Sequence, residues 1–163
     1  MYTKLFISVI FTIFLILLVY KRKRLIIPIT VAYLAIVIYL VAFSSGRIDM
    51  GGISIKFPFP FFRAILSHQY GPTTNRSFLN IILFIPFGYL LPAIISLPIV
   101  QKSKPDSKPR WLMIVFAGFA FSLLIETSQF IFRFGVFELD DLVKNTIGTV
   151  IGYMIWRGLE RNQ

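Results

Sequence analysis

Three polar stripes stand out in an otherwise apolar chain. Ser122, Glu126, Gln129 and Arg133 recur at steps of four, three and four, which puts a carboxylate, an amide and a guanidinium on one helix face. Asp141, Asn145, Gly148 and Gly152 follow at steps of four, three and four, with Asp140 beside the first of them. Arg76 and Asn80 are four apart and share a third face. Such groups bind polar or charged ligands, and a desolvated carboxylate can also handle a proton. Glu126 most needs a partner, because an acid at mid-membrane costs at least about 2.5–3.5 kcal/mol on insertion scales. Two readings of it stay open: it pairs with Arg133 or Arg76 to orient helices, or it binds a ligand or carries a proton.

Asp140 and Asp141 immediately precede an apolar stretch, where acids cap orphan amides and suit the positive end of a helix. One helix does not need both, so a second carboxylate is left for a cationic ligand or a divalent ion. No metal site or cofactor is assigned. The Gly148–Gly152 step, with Pro86 and Gly88, reads as a set of close helix-packing positions. Other chemistry is scarce. With no cysteine the chain has no disulfide, thiol nucleophile or cysteine-ligated metal, and His68 is its one histidine. There is no Gly-x-Ser-x-Gly elbow, phosphate loop or paired-histidine motif. Ser122, Thr127 and Ser128 read as hydroxyls bonded within a helix.

The elements that position these groups follow from composition. Of 163 residues, 56% are apolar and 15% charged, against about 45–50% and about 25% in soluble domains. A single domain of this length buries only about 68–70% of its chain surface, too little to hide the excess from water. Five apolar stretches are marked: Leu5–Tyr20, Leu25–Phe43, Phe78–Val100, Trp111–Phe132 and Leu142–Trp156. They predict an all-α membrane protein of five transmembrane helices, with a kink near Pro86. The first and last are short, so residues such as Tyr2, Thr3 and the Arg157 stem must extend them.

The basic run Lys21–Arg24 follows the first stretch directly, which argues against a cleaved leader. Alternate loops then gather ten basic residues against Asp106 and Glu160 on one face, and seven basic against five acidic residues on the other. Lys/Arg density in short loops marks the cytoplasmic side, so the N-terminus is expected outside and the C-terminus in the cytoplasm. That topology brings all three polar stripes to one depth, near the outer leaflet. The net charge of +10 lies beside apolar spans and reads as contact with the lipid bilayer, not with nucleic acid. The long connection 44–77 carries Phe57-Pro58-Phe59-Pro60-Phe61-Phe62, an aromatic segment suited to the outer headgroup region. It either packs on the membrane surface or covers a site for an amphiphile.

These residues resemble the VanZ-like family of small bacterial membrane proteins. The resemblance runs over 76–153, on Asn80-Ile-Ile-Leu-Phe84-Ile-Pro86-Phe87-Gly88, on Glu126-Thr-Ser-Gln129, and on Arg133 before Asp140-Asp141-Leu-Val-Lys-Asn145-Thr-Ile-Gly148 and Gly152. It implies one integral membrane domain over 1–163, multi-pass in the bacterial plasma membrane. It also implies an association with resistance to teicoplanin, a lipid-tailed glycopeptide that acts on cell-wall precursors. The leading expectation is a non-catalytic envelope protein that binds a lipoglycopeptide antibiotic or a lipid-linked wall intermediate. The ligand-binding set is Arg76, Asn80, Glu126, Gln129, Arg133, Asp140, Asp141 and Asn145. Two alternatives stand beside it: an intramembrane enzyme acting on a lipid-linked phosphate or sugar, and a structural subunit of an envelope complex docked through the glycine face of the last helix.

Overall fold

The structure is a computed structural model that describes residues 2–43, 52–54, 66–67, 72–98, 100, 111–133 and 136–161. Five long helices form in chain order: α1 (Tyr2–Lys21), α2 (Ile26–Phe43), α3 (Pro72–Ile95), α4 (Trp111–Ile131) and α5 (Leu139–Glu160). A single 3-10 turn, Lys23–Leu25, joins α1 to α2. Two of these helices, over Ser77–Ile95 and Trp111–Ile131, are long and apolar enough to cross a membrane.

Two short strands complete this mostly helical fold. β1 (Gly52–Ser54) lies in the long connection and β2 (Val136–Glu138) directly precedes α5. They pair in parallel, Gly52 with Val136 and Ser54 with Glu138. Three residues of backbone pairing leave no hydropathy signature, so the sequence pattern shows only a loop there. The aromatic segment 57–62, His68 and the basic residues Lys102, Lys104, Lys108 and Arg110 lie outside the described residues.

The helix ends also differ from the apolar boundaries, for local reasons. α3 begins six residues before Phe78, with Pro72 at its first position, where a missing N–H costs nothing. It ends at Ile95 because Pro98 pushes the residue before it out of helical conformation. α5 gains a polar turn at its start and a basic one at its end, reaching 22 residues where the apolar stretch counts 15. α3 continues helically through Pro86 and Pro92. The Tyr33 hydroxyl of α2 meets it there, donating to the Leu83 carbonyl at 2.7 Å, three residues before Pro86. A tyrosine thus enters the helix ladder where proline weakens it.

α3 is the central helix. One flank packs on α1 and α2 through Leu15, Val19, Tyr33, Val37, Tyr89 and Leu90. Its other flank lies against α5, and here the glycines decide the distance. A Cβ on Gly148 would fall on the Ile81 carbonyl, one on Gly152 on the Ile85 carbonyl, and one on Gly88 on the Thr149 carbonyl. Backbone therefore meets backbone along this seam, as small residues permit. α4 closes the group through Gly118, seated on the Thr149 side chain, and through Phe121, stacked on Phe87 with centroids 4.9 Å apart.

Candidate functional site

The bundle has two distinct ends. At one, the Lys23 ammonium and the Glu160 carboxylate lie 3.2 Å apart, bringing the α1–α2 turn to the end of α5. At the other, β1 and β2 form a ribbon beside the end of α4 and the start of α5. The polar stripes of α4 and α5 meet at this ribbon end.

Glu126, one turn and a half before the end of α4, is 3% exposed. Its Oε2 accepts a hydrogen bond from the Glu138 amide at 3.0 Å. That amide belongs to the last residue of β2, so the carboxylate ties α4 to the ribbon and to the start of α5. The charges of Asp141, Glu138 and Lys144 all act on it. One turn deeper, Asn145 Nδ2 donates to Ser122 Oγ at 2.8 Å, and both residues are buried. Asn145 Oδ1 is buried with no hydrogen-bond partner among the described residues. Below it, Thr149 is fully buried and donates to the Asn145 carbonyl at 3.0 Å. Ser122, Asn145 and Thr149 thus form a polar track leading from the ribbon end into the bundle.

Lys144 neutralises part of this acidity. It is 5% exposed and forms ion pairs with Asp140 and with Asp141, the latter at 3.3 Å. This corrects the capping expectation for the two aspartates. The cap position falls on Glu138, whose side chain makes no capping bond, and the aspartates stand in the first turn. Lys144 lies three and four residues further on, the spacing at which helical side chains meet, and it draws both carboxylates to itself. They still suit the positive end of the helix. Asp140 Oδ1 stays buried without a partner among the described residues.

The predicted set divides accordingly. Glu126, Asp140, Asp141 and Asn145 come together. Asn80 and Gln129 are half-buried, with no side-chain hydrogen bond among the described residues. Arg133 is exposed, two residues past α4, with a left-handed φ of 56° that turns the chain toward β2. It makes no ion pair with Glu126 among the described residues, and the Arg76 side chain lies outside them. The partner of Glu126 is a backbone amide that no side-chain pattern reveals. Lys144 and Thr149 join the site without having been singled out. The Asp140–Lys144 spacing carried the signal for the first, while the second needed the glycine seam. Among the described residues no three His, Cys, Asp or Glu side chains gather to hold a metal ion.

With the site in view, its relation to known proteins is direct. Residues 11–160 match the VanZ/LLP1 family. The chain belongs to that family. The match reaches well beyond 76–153 and takes in α1 and α2, so the tyrosine-braced N-terminal half is part of the VanZ/LLP1 unit. No curated protein and no solved structure matches the chain.

Proposed function

We propose that this VanZ/LLP1 protein crosses a bacterial envelope membrane five times, N-terminus outside and C-terminus in the cytoplasm, and binds an amphiphile at its ribbon end. The lengths support the placement: α1, α3 and α5 have 20, 24 and 22 residues, and helices of that size span about 30 Å. Large apolar side chains face outward on three helices, among them Phe6, Phe14, Val31, Ile38, Phe116 and Leu124. Water penalises such surface and lipid does not. The observation that carries the reading is the cluster of buried Glu126, Asn145 and Lys144 with half-buried Asp141, at the end where β1 anchors the long connection. An amphiphile with a polar or cationic head and an apolar body suits it, with the body in the bilayer and the head on the carboxylates. A lipoglycopeptide such as teicoplanin and a lipid-linked wall intermediate both fit, and VanZ/LLP1 membership supports a link to resistance. The role as a docked structural subunit is less well supported, because α3 of the same chain fills the glycine face of α5.

The test uses purified full-length protein and two probes, teicoplanin and a lipid-linked wall precursor. Glu126→Gln keeps an acceptor for the Glu138 amide and removes the charge. It is expected to weaken binding of the probe that the native protein binds by about tenfold or more, near 1.4 kcal/mol, while accumulating in the membrane as before. Undiminished binding would reduce the cluster to a packing device.

A further inference from the structure

The end of the bundle away from the ribbon carries a second site of opposite charge. We propose that it binds an anionic membrane phospholipid, with the phosphate held by the α1–α2 turn and an acyl chain against α3 and α5. This inference shares the membrane placement above but does not depend on the acidic network.

A cleft of about 370 Å³ opens there between the α1–α2 turn and the ends of α3 and α5, a volume within the usual range of about 300–1,000 Å³ for ligand sites. Its inner wall is apolar, formed by residues such as Ala93, Leu97 and Trp156. Its mouth is basic. Tyr20, Lys23 and Arg24 line the cleft and also a neighbouring hollow built wholly from residues 20–25. An apolar trough running into a basic hollow has the two-part character of a phospholipid. A free phosphate would leave the trough unused.

The charges at the mouth are not equivalent. Lys23 faces Glu160 at 3.2 Å, so each largely cancels the other. Arg24 is exposed and makes no ion pair among the described residues. Its guanidinium presents a planar fork that matches phosphate oxygens two at a time. Trp156 also lines the cleft, and its indole Nε1 is buried without an acceptor among the described residues. Aromatic and basic side chains together suit the membrane–water interface, where these helix ends would lie. At the opposite end, Glu126, Asp140 and Asp141 would repel the same headgroup.

Trp156 makes the proposal measurable. Trp111 is the other tryptophan, so Trp111→Phe leaves Trp156 to report alone. The full chain is placed in phosphatidylcholine vesicles, and brominated phosphatidylglycerol or brominated phosphatidylcholine is titrated in as quencher. Half-quenching is expected at a mole fraction about fivefold lower for the anionic lipid. Arg24→Gln should bring the two curves together. Ala93→Phe fills the trough while keeping every charge and should do the same. Excess unbrominated phosphatidylglycerol should relieve the quenching and excess inorganic phosphate should not. Equal quenching by the two lipids overturns the proposal, as does a preference that survives both variants. Relief by inorganic phosphate also overturns it, assigning the cleft to a soluble anion instead.

Discussion

At the ribbon end, Glu126 and Lys144 are 3% and 5% exposed, and each is held by a named partner. At the turn end, Lys21, Arg22, Lys23, Arg24, Arg157 and Arg161 are all exposed. The same kinds of side chain therefore do different work. An exposed ammonium keeps its water and gains little from a partner. A buried one has lost that water, so removing its partner exposes the full desolvation cost. The turn end can attract anions while tolerating substitution of single charges. The ribbon end cannot, because Glu126 is held from α4 onto the backbone that leads into α5, and Lys144 is the buried cation of two aspartates.

Glycine offers the sharpest way to break this contrast. Gly148→Leu puts a side chain onto the Ile81 carbonyl and must separate α3 from α5 beneath the polar network. The variant is expected not to accumulate as folded protein, read by size-exclusion chromatography and by loss of a cooperative melt in detergent. Gly158, near the turn end, has nothing within 4 Å of a Cβ added there, and Gly158→Leu should melt as the native chain does.

The next effect in size tests the buried ion pairs. Lys144→Met leaves Asp140 and Asp141 together without their cation and should cost about 3–5 kcal/mol, seen as a lowered unfolding midpoint. Adding Asp140→Asn and Asp141→Asn to that variant should recover most of the loss, because the uncompensated charge is then gone. If the triple variant is no better than the single one, Lys144 matters for its packing and not for its charge. The smallest effect belongs to the turn end. Lys23→Gln breaks the pair with Glu160, whose side chains are 56% and 38% exposed, and should change stability by less than about 1 kcal/mol. A larger loss would mean that this pair is as structurally committed as those at the ribbon end.

Much of the fold was legible because hydrocarbon-scale helices announce themselves. The five apolar stretches correspond to five helices, and the stripe through Ser122 and Glu126 lies on the buried face of α4. Helix ends were less legible, since they depend on polar turns such as 72–77 that hydropathy does not score. Spacing put Glu126, Asp141 and Asn145 on faces that meet, but it gave no weight to Lys144. Arg133 was misleading for a simple reason. Its step from Gln129 assumes a continuing helix, whereas the chain leaves α4 at Ile131 and turns at a left-handed Arg133. β1 and β2 were invisible, because a parallel pairing over three residues depends on backbone groups more than 80 positions apart.

The sequence by itself determined which segments are helical, which faces are polar, and that an acid would lie among apolar residues needing a partner. Periodicity and hydropathy are local properties, and a helix satisfies its own backbone, so these can be read without a neighbour. Only the tertiary structure decided who the partners are. The Glu138 amide for Glu126, the Ser122 hydroxyl for Asn145 and the phenol of Tyr33 beside Pro86 come from different elements. The first two pairs reach one another because glycines let α3, α4 and α5 approach closely, and a hydrogen bond acts over only about 3 Å.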